Sequence, residues 1–381
     1  MADKSPRLRA LAVPVAFALA LTAAVLAGQQ GPQGRQGQPG QGRGAATPPP
    51  SPLLDGDVSI RPPWSNANEL IWDNSVPHGT VHRFDMKSED SKIYKGVPAR
   101  APRGGGRGAA GAPAPNAPNA PNAPIAPIAP GPIVPYVRPV AVYIPAQYVP
   151  GTPAPFIVVQ DGYNPKYHLT IPVILDNMIA AKRLPVMIAV LVQHGGGDGP
   201  GSERGLEYDT VSDVYTKFIE SEVLPKIAKD YKVTFTTDPD GRATMGGSSG
   251  AACALTMAWF HPELYRRVLS YSGTFVDQQF PKTAEIPRGA WEYHQTLIPN
   301  APAKPIRIWM EVGGNDNGST APEEGLHNWV IANRHMAEVL KAKGYHYRFV
   351  FAEEARHTDA SVIYQTLPQA LEYIWQGYPI K

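Results

Sequence analysis

Apolar runs alternate with amphipathic segments from Val137 to the end of the chain. Near-continuous apolar runs predict buried strands over residues 140–144, 156–160, 186–192, 242–245, 267–271, 306–312 and 345–351. Helical spacing predicts helices over residues 169–181, 212–231, 251–260, 323–342 and 360–376. Repeated strand–helix units with strands of this kind are typical of a mostly parallel sheet covered by helices on both faces. The pattern therefore predicts an α/β fold with a mostly parallel central sheet.

In two segments, one of them before Val137, the pattern also predicts which side chains face the core. Residues 79–86 alternate like a strand, with Val81, Phe84 and Met86 as the inward residues if one irregularity is allowed. In the helix over 212–231, the apolar side is predicted to carry Val214, Phe218 and Ile227, which recur at helical spacing.

The first residues have the features of an export signal. Basic residues precede an apolar run, and small residues follow it where a signal peptidase would cut, so residues 1–27 are predicted to be a cleaved signal peptide. A retained membrane anchor is the alternative, because the apolar run is close to the shortest length that spans a bilayer. Either reading predicts an exported protein, periplasmic or secreted.

Proline is unusually frequent, with 42 residues, and it is clustered. Residues 28–53 are rich in Gln, Gly and Pro and are predicted to be a disordered linker. Residues 100–135 repeat Ala-Pro-Asn and Ala-Pro-Ile, and they separate two predicted strands. We interpret them as a disordered insertion within one catalytic domain, residues 54–381. A domain boundary is the alternative, but the segment before it is short for an independent core.

Composition narrows the possible partners. The 381-residue chain has a formal net charge of +2, so nothing in its charge predicts binding to nucleic acid, and a membrane partner is expected only if the N-terminal segment is retained. Its single cysteine, Cys253, cannot form an intramolecular disulfide and is predicted to be a buried apolar residue. We expect neither a metal nor an organic cofactor.

One serine stands in a turn typical of catalytic nucleophiles. The sequence Gly246-x-Ser248-x-Gly250 lies between the predicted strand 242–245 and the apolar helix 251–260. In α/β-hydrolases this strand–turn–helix places the serine oxygen above the sheet edge, and glycines are needed where strand and helix nearly touch. Because the helix follows directly, we predict that Ser248 is a nucleophile.

A serine nucleophile needs a base, and the base needs an orienting acid. In this fold they follow in the order serine, acid, histidine, each after a strand. Asp316 lies in a turn after the strand 306–312, and His357 follows the strand 345–351, so these two residues complete the predicted triad. Glu311 and Asp359 are the acids considered second, since Glu311 lies within its strand and Asp359 is two residues past His357.

The oxyanion donors should come from two backbone segments near the serine. One is the N–H of Ser249, at the start of the helix, and the other is an N–H near Gly162 or Tyr163, in the loop two strands before the serine along the chain. The stretch starting at His194 mimics a lipase oxyanion motif, but it follows the wrong strand, so we interpret it as a flexible active-site loop.

These pieces together resemble a known family. Val159-Gln-Asp-Gly162, Arg204-Gly-Leu-Glu207-Tyr208, Gly246-Gly-Ser-Ser-Gly250 and Gly314-Asn-Asp316 with His357 are similar to segments of the "putative esterase" family of α/β-hydrolases. That family includes enterochelin esterases, feruloyl and acetylxylan esterases, esterase D and mycolyltransferases, and the enterochelin-esterase branch is the most similar. The resemblance implies the same triad. It adds Arg204, Glu207 and Tyr208, which either contact substrate or fix the loop after the strand 186–192.

Three functions are compatible with the sequence. The first is an exported serine carboxylic-ester hydrolase acting on a small-molecule or polysaccharide ester, with siderophore and carbohydrate acyl esters both open. The second is an acyltransferase with the same triad and an acceptor alcohol in place of water. The third is a non-catalytic surface-binding protein, against which the intact nucleophile, base and acid argue.

Overall fold

The computed structural model describes residues 53–98, 133–197 and 202–380. Its strands are β1 (Gly56–Ile60), β2 (Thr80–Lys87), β3 (Val97–Pro98), β4 (Ile133–Val134), β5 (Val137–Ile144), β6 (Pro153–Ala154), β7 (Phe156–Gln160), β8 (Ile188–Val192), β9 (Thr234–Phe235), β10 (Arg242–Gly247), β11 (Arg267–Tyr271), β12 (Arg307–Asn315) and β13 (His346–Arg356). Nine of them form one sheet in the order β1-β13-β12-β11-β10-β7-β8-β5-β2. In this sheet order, every neighbouring pair from β1 to β8 is parallel. β5 pairs antiparallel with β8, and β2 pairs antiparallel with β5. The predicted mostly parallel α/β sheet is confirmed.

Helices cover both faces of this sheet. They are α1 (Pro165–His168), α2 (Ile171–Ala180), α3 (Glu203–Tyr208), α4 (Val214–Phe218), α5 (Leu224–Tyr231), α6 (Ser249–Phe260), α7 (Ile298–Asn300), α8 (Trp329–Ala342) and α9 (Ala360–Trp375). One buried cluster joins α3 to α8 with one face, and a second joins α1, α2 and α9 with the other. The strands alternate their side chains between these clusters, which explains their near-continuous apolar sequences. Among the described residues, no helix has both the length and the apolar character needed to cross a bilayer.

Some predicted details of the helices are wrong. The helix predicted over residues 212–231 is interrupted by a π-turn, Ile219–Val223, and Val214 is 40% exposed while Tyr215 is buried. The π-turn adds a residue to the helical turn, so one regular period does not describe the segment. The helix predicted from residue 323 begins at Trp329, after a single turn of 3-10 helix at Glu323–Gly325.

The inward residues of β2 do not share one core. Phe84 and Met86 pack against the cluster of α3 to α8, whereas Val81 packs against the cluster of α2 and α9. Side chains alternate along a strand, so residues 81 and 84 must face opposite ways. β2 pairs with β5 in an unbroken register from Thr80 to Lys87, so the irregularity expected in this segment is absent.

The low-complexity predictions fall mainly outside the described residues. The predicted signal peptide, residues 1–27, lies there, as do the linker up to residue 52 and the insertion up to residue 132. Val97 and Pro98 pair antiparallel with Val134 and Ile133. Ile133 and Val134 belong to the insertion predicted to be disordered, so that prediction is wrong for these last residues, because they add backbone hydrogen bonds to a partner strand.

Candidate active site

The turn at Ser248 joins β10 to α6 in a rarely populated backbone conformation. Ser248 has φ 58° and ψ −127°, and its main chain is tied to β11 by the N–H bond to the Tyr271 carbonyl, 2.9 Å. A Cβ at Gly246 would lie 2.3 Å from the carbonyl carbon of Gly250, so only glycine fits there. The structure thus has the geometry of a nucleophile elbow.

Gly250 has a different reason for being glycine than the sequence predicts. A Cβ at this position would lie 3.0 Å from Cβ of Gln160, at the end of β7. Its small size therefore lets α6 approach the neighbouring strand β7. Gly246 is the glycine that allows the start of α6 to approach the incoming strand β10 closely.

The structure brings Ser248, His357 and Asp316 together. His357 Nε2 lies 2.8 Å from Ser248 Oγ, and His357 Nδ1 lies 2.5 Å from Asp316 Oδ1. The same Asp316 oxygen accepts the N–H of Asn317 at 2.6 Å, and the Trp329 ring meets the imidazole edge-on, with centroids 5.9 Å apart. A proton on Ser248 Oγ can therefore pass to Nε2, while the Nδ1–H stays on the imidazole and donates to the Asp316 carboxylate.

Sheet topology explains how residues so distant in sequence meet. Ser248 follows β10, Asp316 follows β12 and His357 follows β13, and these strands are parallel and close in the sheet order. The carboxyl ends of parallel strands lie along one edge of the sheet, where sites of this fold are built. The three residues, which are far apart in the sequence, therefore lie along the same edge of the sheet.

The predicted oxyanion segments also reach this edge. β7 pairs directly with β10, so the loop that follows β7 lies beside the serine turn, whereas the loop of His194 follows β8, one strand further away. Gly162 is excluded as a donor, because its N–H donates to the Val192 carbonyl at 3.1 Å. Of the two, Tyr163 remains a candidate donor, and the other predicted donor, Ser249, is the first residue of α6.

Arg204, Glu207 and Tyr208 lie on α3 and fix two loops. Arg204 Nη2 lies 2.7 Å from Asp161 Oδ2, and the Asp161 N–H donates to the Tyr208 hydroxyl at 3.2 Å. Glu207 accepts the Gly195 N–H at 3.1 Å. The loop-fixing role extends beyond the loop after β8, because Asp161 belongs to the loop after β7 that carries Tyr163.

The buried partner of Glu207 is Arg138 of β5. Its two guanidinium nitrogens Nη1 and Nη2 donate to the Glu207 carboxylate at 2.7 and 2.5 Å, and both side chains are buried. Burial without a partner would make either charge costly, so the two groups need each other.

The other acids near the triad stand in different surroundings. Glu311 is fully buried in β12, and neither carboxyl oxygen has a hydrogen-bond partner among the residues that the structure describes. Burial, together with the charges of Asp316 and Asp359, raises the pKa of Glu311 well above its ordinary value. Asp359 instead caps α9, accepting the Ser361 N–H at 3.0 Å. Neither is seen in contact with His357.

Two residues at the site escaped the sequence analysis. Thr274 Oγ1 lies 3.3 Å from Ser248 Oγ, and Lys166 contacts the residue after His357. Both come from irregular segments or short turns, where no periodic signal exists. In the described part of the chain, no group of three or more His, Cys, Asp or Glu side chains is arranged to hold a metal ion.

Comparison with known proteins identifies the family. A family profile described as "Putative esterase" matches residues 135–372. Among solved structures, the enterobactin esterase of Shigella flexneri is 20% identical, with a TM-score of 0.47, over 63% of this chain and 56% of its own. A ferulic acid esterase of the fungus Anaeromyces mucronatus is 13% identical, with a TM-score of 0.50, over 82% of this chain and 96% of its own. The chain thus spans just over half the length of the enterobactin esterase. A search of curated proteins gives no significant match.

Proposed function

Because the chain belongs to the putative esterase family, and so to the carboxylic ester hydrolases, we propose that it is an exported serine esterase using Ser248, His357 and Asp316. The observation that carries the proposal is the continuous set of hydrogen bonds from the serine oxygen through the imidazole to the carboxylate. A single polar contact of this kind is common in proteins. Two such contacts that link a serine on a strained turn, an imidazole and a carboxylate in the correct roles form an arrangement suited to acyl transfer.

The reaction follows from the positions of these groups. Ser248 Oγ attacks the ester carbonyl carbon as its proton moves to His357 Nε2, and Asp316 stabilises the imidazolium through Nδ1–H. The C–O bond to the alcohol then breaks, and the imidazolium returns the proton to the leaving oxygen. Water, deprotonated by His357, hydrolyses the acyl-enzyme and regenerates the serine.

The negative charge on the oxygen of the tetrahedral intermediate must be stabilised by hydrogen-bond donors that are in position before the reaction. We assign this role to the N–H groups of Ser249 and Tyr163. The buried contacts from Arg204 and Tyr208 to Asp161 support it, because they hold the loop of Tyr163 before substrate binds. Removing one such donor costs about 3–4 kcal/mol in the transition state.

The proposed substrates are siderophore esters or acyl esters of carbohydrates. An enterobactin esterase and a ferulic acid esterase are among the structurally similar proteins. Export is proposed from the basic and apolar segments of residues 1–27. Mass spectrometry of the N-terminus of protein recovered outside the cytoplasm tests it, since a retained segment would contradict cleavage.

The experiment that tests the chemistry compares wild type, Ser248→Ala and the exposed-serine control Ser361→Ala. Each is assayed on p-nitrophenyl, feruloyl and acetyl-sugar esters and labelled with a fluorophosphonate. We expect wild type and the control to be active and labelled on Ser248, and Ser248→Ala to lose at least about 10³-fold in kcat. Equal rates in all three proteins, or an adduct on another residue, would refute the proposal. Adding sugar acceptors and analysing products distinguishes hydrolysis from acyl transfer.

A further inference from the structure

Lys166 contacts the turn that carries the base. Its ammonium Nζ lies 2.5 Å from the main-chain oxygen of Thr358 and 3.1 Å from Thr358 Oγ1. Thr358 directly follows His357. The lysine therefore binds the residue whose backbone conformation determines where the imidazole points.

That conformation needs support. Thr358 has φ 45°, in the left-handed region that β-branched residues rarely adopt. Its N–H donates to Ser272 Oγ at 2.8 Å, and its methyl Cγ2 lies 3.2 Å from where a Cβ on Gly247 would stand. The turn is thus fixed against the serine elbow on one side and by Lys166 on the other. Strained backbone of this kind persists only when several contacts hold it.

Lys166 also comes from the segment that carries the proposed oxyanion donor. It is the second residue of α1, three positions after Tyr163, and its N–H donates to the capping side chain of Asn164 at 3.0 Å. The side chain is half-buried, and the negative charges that act on its ammonium are those of Asp359 and Glu311. One side chain therefore joins the loop after β7 to the turn after β13.

We propose that Lys166 is a positioning residue of the triad, which holds His357 in register with Ser248 and couples the base to the oxyanion loop. This inference rests on the proposed function. An ammonium has three donors, and two of them are directed at Thr358. A charged group donates a stronger hydrogen bond to a carbonyl than a neutral group does. The ammonium of Lys166 is therefore suited to preventing rotation of the turn at Thr358. The lysine touches neither reacting atom, so it acts through His357.

The test compares Lys166→Met, which keeps the aliphatic stem, with Lys166→Arg, which keeps the cation. Lys92→Met, at an exposed lysine, is the matched control. We expect Lys166→Met to lower kcat and the rate of fluorophosphonate inactivation by about 10–100-fold, with KM within about twofold, because a small misplacement of a catalytic group costs this much. Lys166→Arg should recover most of the loss, and Lys92→Met should match wild type.

Other outcomes separate this inference from the proposed function. If Ser248→Ala is inactive but Lys166→Met keeps wild-type kcat, the positioning role is refuted while the esterase assignment stands. A raised KM with unchanged kcat would also refute it, since it would place Lys166 on the substrate. If Lys166→Met does not fold, Lys166→Gln and Lys166→Arg are compared instead, and equal kcat in those two variants contradicts the need for a cation.

Discussion

Two carboxyl groups near the end of β12 are easily confused in sequence but differ in their surroundings. Asp316 accepts hydrogen bonds from His357 and from the Asn317 N–H. The side-chain carboxyl of Glu311 is buried without a hydrogen-bond partner among the described residues, and burial raises its pKa well above the ordinary value, which favours the protonated form. Of the two, only Asp316 can orient and stabilise an imidazolium.

This difference predicts opposite effects of the two isosteric amide substitutions. Asp316→Asn should lower kcat by about 10³–10⁴-fold, because an amide removes the charge and can favour the wrong imidazole tautomer. Glu311→Gln should keep kcat within about threefold, since it puts a neutral amide of similar shape in place of a carboxyl whose protonated form is favoured by burial. Steady-state kinetics near neutral pH measure both. If Glu311→Gln lost most of its kcat while Asp316→Asn stayed active, the assignment would be contradicted and Glu311 would be the orienting acid.

A second prediction concerns Glu203, whose carboxyl forms no salt bridge with a cation among the described residues. The Tyr136 hydroxyl lies 3.0 Å from Glu203 and 3.2 Å from Glu207, while Arg138 is committed to Glu207. Burial and the charge of Glu207 raise the pKa of Glu203 to about 7. The folded protein thus binds this proton more tightly than the unfolded chain does, so the stability that it contributes is complete below about pH 4.5 and is lost as the pH rises through 7.

Glu203→Gln cannot ionise and should therefore be more stable than wild type at pH 8. We expect a gain on the order of 1–3 kcal/mol there, shrinking towards zero at pH 4.5. Urea unfolding at several pH values measures it, with the exposed Glu324→Gln as the control that should show no such trend. A gain that stays constant with pH would contradict the ionisation argument.

At the scale of elements, the serine turn depends on one close approach of main chain to main chain. A Cβ at Gly246 would overlap the Gly250 backbone, which cannot rotate away as a side chain could. Gly246→Ala should therefore destabilise the protein by several kcal/mol or prevent folding, and should abolish labelling of Ser248. In contrast, Gly325 has nothing within 4 Å of its Cβ position, so Gly325→Ala should leave thermal unfolding and activity close to wild type. Unchanged melting of Gly246→Ala would contradict this account.

The elements differ in how well the sequence predicts them. β11 matches its predicted residues because it is an uninterrupted apolar run, buried on both faces. β1 was not predicted, since its alternate residues are exposed at the sheet edge and it is only five residues long. α3 was not predicted as a helix either, because its buried charges are balanced by distant partners such as Arg138, which no local window contains.

The residues of the active site also differ in how well the sequence predicts them. Ser248, Asp316 and His357 could be proposed from motif and chain order, because the topology of the fold fixes which strand ends are neighbours. The unsuitability of Gly162 as a donor depends on a hydrogen bond to another strand, and the contact of Lys166 depends on a turn 192 residues away. Tertiary contacts of this kind leave no pattern in the sequence around either residue.

At the scale of the whole molecule, the proline-rich segment begins and ends at paired strands. β3 and β4 are antiparallel neighbours, and β2 and β5, the next strands before and after them in the chain, pair along their full length. The two ends of the segment are therefore held together by the described part of the chain. A connection whose ends are already adjacent can change in length at small cost, because closure entropy depends on the logarithm of length.

Replacing residues 101–130 by a Gly/Ser linker of about eight residues should therefore preserve the fold. The shorter loop should raise the free energy of unfolding by roughly 1 kcal/mol and the melting temperature by about 2–4 °C. Calorimetry and kcat/KM on a p-nitrophenyl ester, each against the full chain, measure the two effects. Because the triad and the loop after β7 lie on other strands, small-ester kinetics should stay within about twofold. A collapse of stability or of small-ester activity would show that the segment is part of the catalytic unit, and a loss confined to polymeric esters would assign it to substrate binding.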